Sequence, residues 1–445
     1  MIFRKKQPLS KGLYHQRIEE PEMTARLHLR VEEGGRGVLS INAAKILHLN
    51  PTATEIVKLS MDGLDRSEIL RTMKSRYRAS KRVLETDIAR VLDTVSVLVR
   101  TDGICPITYL DTEPVAAFSY EGSAPLRMDL ALTYRCSNDC HHCYNLKGRA
   151  EKELEKEEWY NVLQRLWNAG IPHVAFTGGE PTLRDDLPDL IARAEEIGLV
   201  TGLLTHGRRL ADRDYLQALG DAGLDYVQIT LESADPEIHD RMVGAHGAHA
   251  QTLQGIRNCI DAGLYVLTNT TLTRTNAGNA VQTVRLIADL GLPSFAVNGM
   301  IHTGKEEQKE LALSMEELTR VLTDIREEAE RLGLRFIWYT PTRYCELNPV
   351  DLQLGLKQCS AARISMAIEP DGTVLPCQST YTSVGNILND SWTSIWNHPV
   401  CISLRERRYM MEACTDCEWV DLCGGGCPLE TDHGDYTCMA SPTGS

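Results

Sequence analysis

Cys136, Cys140 and Cys143 place three thiols within eight residues in the spacing C-x3-C-x2-C. As thiolates they can hold three corners of a four-iron cube and leave its fourth iron without a protein ligand. Thiolates also suit zinc. Structural zinc closes with four protein ligands, so a zinc reading must draw His141 or His142 from inside the same loop and strain it. A second motif, Thr177-Gly-Gly-Glu-Pro181, follows one strand later. Its glycines let backbone approach a ligand closely, and its carboxylate can receive an ammonium group.

The chain carries 14 cysteines, unevenly spread, with five before residue 345 and nine from Cys345 to Cys438. The tail reads Cys359, Gly372-x4-Cys377, Cys414-x2-Cys417-x5-Cys423-x3-Cys427 and Cys438. Thiols gathered this way indicate ligand sets. The basic start MIFRKKQPLSKG has no apolar run behind it, so no signal peptide is expected. No apolar stretch nears 18 residues, so no membrane span is expected either. A cytoplasmic, reducing setting favours metal binding over disulfides.

At 445 residues, two or three domains are expected. With 42% hydrophobic and 24% charged residues, the composition is that of a globular protein. A net charge of −14 repels phosphate backbones and argues against a nucleic-acid partner.

The elements that must position these residues follow from periodicity. Residues 1–105 read as a small α/β unit. Short strands at Ala25–Val31, Gly37–Ile41 and Ile46–Leu49 precede a helix opened by Pro51, a second capped by Ser67, and a third over Lys81–Val99. That order describes a winged-helix-like shape. Residues 106–123 read as a linker. Over 124–340 strands alternate with amphipathic helices, at Arg127–Thr133, His173–Thr177, Val200–Thr205, Tyr226–Leu231, Tyr265–Leu272 and Phe295–Met300. The fold class is therefore α/β, a partial (β/α)6 barrel with a parallel sheet and right-handed crossovers. Chemistry is expected at the C-terminal strand ends, where RCSNDCHHC, TGGEP, THG and LES fall. Residues 341–445 lose periodicity and form a Cys-rich iron–sulfur domain.

The run Cys136-Ser-Asn-Asp-Cys140-His-His-Cys143, followed by Gly178-Gly179-Glu180, resembles the signature of radical S-adenosylmethionine (SAM) enzymes. The resemblance implies that the open iron chelates SAM and that one electron releases a 5′-deoxyadenosyl radical. It implies that His142 lies near the adenine and that Gly178, Gly179 and Glu180 hold the methionine end. Thr230 and Glu232 are implied to face SAM or substrate. His206 stands where such chains commonly carry asparagine, and Val243 where many carry arginine.

The tail resembles the seven-cysteine SPASM domain of radical SAM peptide maturases, against a zinc-ribbon alternative. The resemblance implies two auxiliary clusters, and three [4Fe–4S] clusters in all. One is held by Cys414, Cys417, Cys423 and Cys438, the other by Cys359, Cys377 and Cys427. The second lacks a fourth ligand. Either Cys345 supplies it, or that iron is open or bound by substrate. Cys105, Cys259 and Cys401 receive no role. The N-terminal unit resembles a PqqD-like recognition element, which implies a precursor peptide whose leader adds as a strand. An electron donor such as flavodoxin or ferredoxin is also implied.

The leading expectation is a maturase that oxidatively modifies or crosslinks a ribosomally made peptide. The alternative is a SPASM-type enzyme acting on a small-molecule cofactor or tetrapyrrole precursor. A metal-dependent transcription regulator would leave TGGEP and the six-unit sheet without purpose.

Overall fold

The computed structural model describes residues 2–3, 9–20, 23–100, 122–145, 152–301, 303 and 308–430. Most of the expected linker, together with Cys105 and Cys438, lies outside them. The chain divides into two compact units, residues 1–124 with 164–172, and residues 125–163 with 173–445.

In the first unit, β1 (Gly12–Glu20), β2 (Met23–Val31), β3 (Gly37–Ile41) and β4 (Lys45–Leu49) form an antiparallel sheet in that order. Period-two side chains Ala25, Leu27, Leu29 and Val31 turn one face of β2 into a core with Leu39, Ile41, Val57 and Leu98. Three helices follow: α1 (Pro51–Met61), α2 (Arg66–Arg76) and α3 (Lys81–Arg100). Asn50 caps α1 by accepting from the Ala53 N–H, with Pro51 in the first turn. The sequence places the cap of α2 on Ser67. The structure places it on Asp65, which accepts from the N–H groups of Ser67 and Glu68 while Glu68 reaches back to the Asp65 N–H. A carboxylate two residues earlier completes a reciprocal box, which a hydroxyl at 67 does not. Strand β1 has no apolar alternation that reveals it. Its register against β2 runs through all nine residues from Gly12 to Glu20.

The second unit is built on a ten-stranded sheet. Strands β5 (Arg127–Thr133), β6 (His173–Gly178), β7 (Val200–Thr205), β8 (Tyr226–Thr230), β9 (Tyr265–Leu272) and β10 (Ser294–Gly299) match the six expected strands. A seventh, β11 (Arg335–Trp338), continues the parallel order beside β10. On the other side of β5 lies β12 (Ser365–Ile368), also parallel, followed by the antiparallel β13 (Thr373–Leu375) and β14 (Gly385–Asn386). The Cys-rich tail thus begins as an extension of the same sheet. Strands β6 and β7 are buried almost throughout, as expected of parallel strands with both faces covered.

Where β6 ends, its backbone closes on the end of β5. The Gly179 N–H donates to Thr133 O at 2.7 Å, and the Glu180 N–H donates to Arg135 O at 2.9 Å. The β5–β6 register shifts between Ala131 and Thr133, which swings the segment leading to Cys136 toward this contact. No side chain fits there. A Cβ on Gly178 (φ +137°) would stand 2.2 Å from Thr133 O, and one on Gly179 would stand 2.4 Å from Arg135 O. Gly178→Ala is expected to cost about 3 kcal/mol of stability through backbone displacement. Urea unfolding of the variant checks it, and an unchanged midpoint would contradict the contact.

Candidate active site

The loop after β5 carries Cys136, Cys140 and Cys143 and has almost no secondary structure of its own. Neighbouring strand ends hold it. From the helix α7 (Pro236–Val243), the carbonyls of Val243 and Met242 accept from the N–H groups of Asp139 (2.9 Å) and His141 (3.1 Å). From the loop after β7, Arg208 Nη1 donates to Ser137 O (3.0 Å) and Asn138 Oδ1 (2.6 Å). The Asn145 amide ties the far end of the loop to Gly178 O at 3.1 Å. Val243 is buried, and its contribution here is a backbone carbonyl.

Burial pushes the Cys136 thiol up to about 11, and it raises Cys140 well above its ordinary value. Neighbouring thiols raise both further. Thiols so disposed release their protons only to a cation that takes them as thiolates. Among the described residues no three Cys, His, Asp or Glu side chains converge on a single-ion site. A four-iron cube takes its thiolates at separate corners, so the donor set and its spacing fit such a cluster.

The three cysteines line a cavity of about 400 Å³, in the range of small-molecule sites. Gly178 and Gly179 form part of its wall, as do His142, Thr230 and Glu232. Glu180 does not line it. Its fully buried carboxylate is saturated from within: Oε1 accepts from the Thr182 N–H and the hydroxyls of Thr182 and Thr205, and Oε2 accepts from the His206 N–H. His206 itself bridges Glu180 to the cysteine loop. Its Nδ1 accepts from the Arg208 N–H, so in the neutral ring Nε2 carries the proton. That Nε2 lies 2.8 Å from Ser137 Oγ and 3.3 Å from Glu180 Oε2. Burial lowers the pKa of this ring and favours the neutral form.

His142 and Glu232 meet at the opposite wall, Nε2 to Oε1 at 2.9 Å, although that oxygen lacks an aligned hydrogen bond. The other carboxylate oxygen accepts from the Thr271 N–H at 2.9 Å. Behind Glu232, its backbone N–H donates to His239 Nδ1. Sequence reasoning missed the polar floor of the cavity, formed by Gln228, Asn269, Thr271 and Asn298 beside Thr230. The signal was available. Gln228 and Thr230, and likewise Asn269 and Thr271, are i, i+2 polar pairs on buried strands and so share one face. Tyr339, just past β11, and Gln378 and Ser379, just past Cys377, close the cavity from the far side. Residues from both ends of the parallel run therefore face one space, as a curled sheet requires.

In the tail, burial raises the thiols of Cys359 and Cys427, and neighbouring thiols raise them further: Cys377 acts on Cys359, and Cys359 and Cys377 act on Cys427. Burial pushes Cys359 up to about 12. Cys345 is exposed, and the thiol whose charge it feels is Cys423. The Tyr344 N–H points at Cys423 Sγ from 3.4 Å. The structure thus brings Cys345 to Cys423, while Cys359, Cys377 and Cys427 form a group of their own. Cys259 and Cys401 are buried singly.

Three thiols presented on a parallel-sheet rim, above a ligand-sized cavity with a glycine-lined wall, define an iron–sulfur enzyme that holds a small organic ligand against its cluster. The chain belongs to the radical SAM superfamily, whose pattern matches residues 130–287, and an iron–sulfur cluster-binding SPASM domain matches residues 359–418. It is 30% identical over 339 residues to the PqqA peptide cyclase of Rhizobium meliloti (strain 1021), covering 72% of this chain and 88% of that one. It is 31% identical over 340 residues to the PqqA peptide cyclase of Bradyrhizobium diazoefficiens, covering 72% and 87%. Among solved structures, Streptococcus suis SuiB bound to its precursor peptide SuiA shares the fold. The TM-score is 0.64 at 16% identity, over 90% of this chain and 93% of that one. Native anSMEcpe with bound AdoMet and a peptide shares it with a TM-score of 0.57 at 18% identity, over 71% and 94%. Iron–sulfur clusters and SAM binding accordingly belong to this enzyme. Among the described residues no helix is long and apolar enough to cross a membrane.

The His239 ring behind Glu232 gives a pH test. Burial lowers its pKa to about 4, below the unfolded value of about 6.5. Between those values the unfolded chain binds more protons, so stability falls as pH falls. Acidifying from pH 7 to 5 is expected to cost about 2 kcal/mol through this group, at about 1.4 kcal/mol per unit. Chemical denaturation at both pH values checks it: His239→Asn should shed that part of the acid sensitivity, and an equal loss in both proteins would contradict it.

Proposed function

We propose that this enzyme is a peptide maturase that oxidatively modifies or crosslinks a ribosomally made precursor. The observation that carries this reading is a cavity that one thiol group lines and whose far wall is formed by the residues that follow a cysteine of the second. Cys136, Cys140 and Cys143 line one wall, and Gln378 and Ser379, adjacent to Cys377, line another. A substrate held between them can lose a hydrogen on one side and an electron on the other. Relatives that are cyclases of the PqqA peptide, and a similarly folded protein solved with its precursor peptide, support a peptide as the substrate.

In this reading Cys136, Cys140 and Cys143 hold the first [4Fe–4S] cluster. A reduced cluster held there, with SAM bound, would give the one electron that cleaves the sulfur–C5′ bond and supply the 5′-deoxyadenosyl radical. His142, Thr230 and Glu232 face SAM or substrate from the cavity wall. Gly178 and Gly179 admit the methionine end. Glu180 acts from behind: its carboxylate fixes the turns at Thr182 and His206, and His206 holds Ser137 in the cluster loop. Cys414, Cys417, Cys423 and Cys438 hold one auxiliary cluster. Cys359, Cys377 and Cys427 hold the other, for three in all. The polar floor of Gln228, Asn269, Thr271 and Asn298 orients the peptide through its amides.

Residues 1–105 act as a leader-binding domain of PqqD-like type. Their sheet ends in β1 and β4, each an edge strand in the sheet order, and such edges template an added strand. The enzyme works in the cytoplasm with a flavodoxin- or ferredoxin-like electron donor.

Co-expression with a short peptide encoded beside the gene, read by mass spectrometry, tests the reading. The product is expected to have lost two hydrogens, and Cys136→Ala is expected to leave the peptide unmodified. Conversion of a small cofactor precursor by the wild-type enzyme, with every neighbouring peptide untouched, would overturn it.

Two linked variants test the loop clamp. Arg208→Gln removes donors to Ser137 O and Asn138 Oδ1 and is expected to lower iron retention at the first cluster severalfold. Arg257→Gln, at an exposed position of the helix Ala248–Asp261, should match wild type in iron per protein. Equal retention in both would contradict the clamp.

A further inference from the structure

Cys359, Cys377 and Cys427 supply three thiolates, and a four-iron cube has four corners. The thiol whose charge reaches Cys345 is Cys423, in the other group. A different donor lies one turn from Cys427. Cys427 opens a single 3₁₀ turn, Pro428–Glu430, closed by the Glu430 N–H donating to Cys427 O at 3.0 Å. Side chains three apart in such a turn eclipse one another, so the Glu430 carboxylate projects on the same side as the Cys427 thiol. The charge of Glu430 acts on that thiol more strongly than the charge of Cys377 does.

Glu430 Oε2 is also buried without a hydrogen-bond partner. A buried, unpaired carboxylate oxygen is costly unless a charge-bearing partner compensates it. The cation facing it is Arg343, which pairs with Glu346 at 2.7 Å and makes no hydrogen bond to Oε2. The other charge facing Glu430 is Glu346, a carboxylate that repels it.

We infer that Glu430 is the fourth protein ligand of the auxiliary cluster held by Cys359, Cys377 and Cys427. This rests on the three-cluster reading above. The geometry assigns one mixed site with three thiolates and one carboxylate, and it leaves Cys345 outside the set. A carboxylate is a harder, more weakly held iron ligand than a thiolate. The site would therefore be the easiest of the protein-ligated corners to open.

The test uses the anaerobically purified, reduced full chain with SAM present to cover the first cluster. Cyanide serves as the probe of an open iron, read by electron paramagnetic resonance (EPR). Glu430→Ala is expected to give a new cyanide-dependent signal that wild type and Cys345→Ala lack. Glu430→Cys should close the site again and move the midpoint potential of one auxiliary cluster. Glu430→Gln, which keeps the shape, guards against simple misfolding and should change the spectrum of that same cluster.

A cyanide signal in Cys345→Ala, or already in wild type, would overturn the assignment. So would Glu430 variants that lose only thermal stability with unchanged spectra, since the carboxylate would then serve Arg343. Protein lacking iron altogether would defeat the three-cluster reading as well. Intact clusters indifferent to Glu430 would defeat this ligand alone.

Discussion

The site depends on a backbone contact rather than on any one catalytic side chain. The end of β6 and the start of the cysteine loop close on each other through the Gly179 N–H to Thr133 O and the Glu180 N–H to Arg135 O. Neither contact tolerates a Cβ at Gly178 or Gly179. A loop holding three thiols must be stiff before a cluster arrives, because thiols that wander cannot share one cube. Here the stiffness is borrowed. Two carbonyls of α7, the Arg208 guanidinium and the Asn145 amide each fix one part of the loop. Residues far apart in sequence thereby act as one mould.

Buried charge follows from the same arrangement. Glu180 sits at zero exposure because four donors converge on it, two of them hydroxyls from Thr182 and Thr205. It is a keystone behind the glycine wall. His206 fits this role: one ring nitrogen accepts from Arg208 N–H and the other reaches both Ser137 and Glu180. Glu232 is held similarly by Thr271 and by His239 beneath it. In each case a histidine that burial keeps from protonating stands against the glutamate, at the carboxylate of Glu180 and at the backbone N–H of Glu232.

Much of this was legible in the sequence, for physical reasons. Cysteine spacing survives folding, because a loop of eight residues has few ways to present three thiols. Strand-and-helix alternation also survives, since parallel strands are buried on both faces and read as apolar runs. Strand β1 was not legible, because an edge strand half in water carries no strong alternation. The cap at Asp65 was displaced by two residues because a reciprocal box outweighs a lone hydroxyl. Which thiols Cys345 meets depends on how the turns after β11 fold back, which spacing does not report. Glu430 carried no motif. Only a buried oxygen with no partner, one turn from a cysteine, draws attention to it.

The central claim is that the first cluster keeps one iron free for SAM. The most direct measurement is the EPR spectrum of the reduced protein before and after SAM is added. A changed signal from the first cluster is expected on SAM binding, and no such change when Cys140 is replaced by alanine. A spectrum of reduced wild-type protein that SAM leaves unaltered would contradict it.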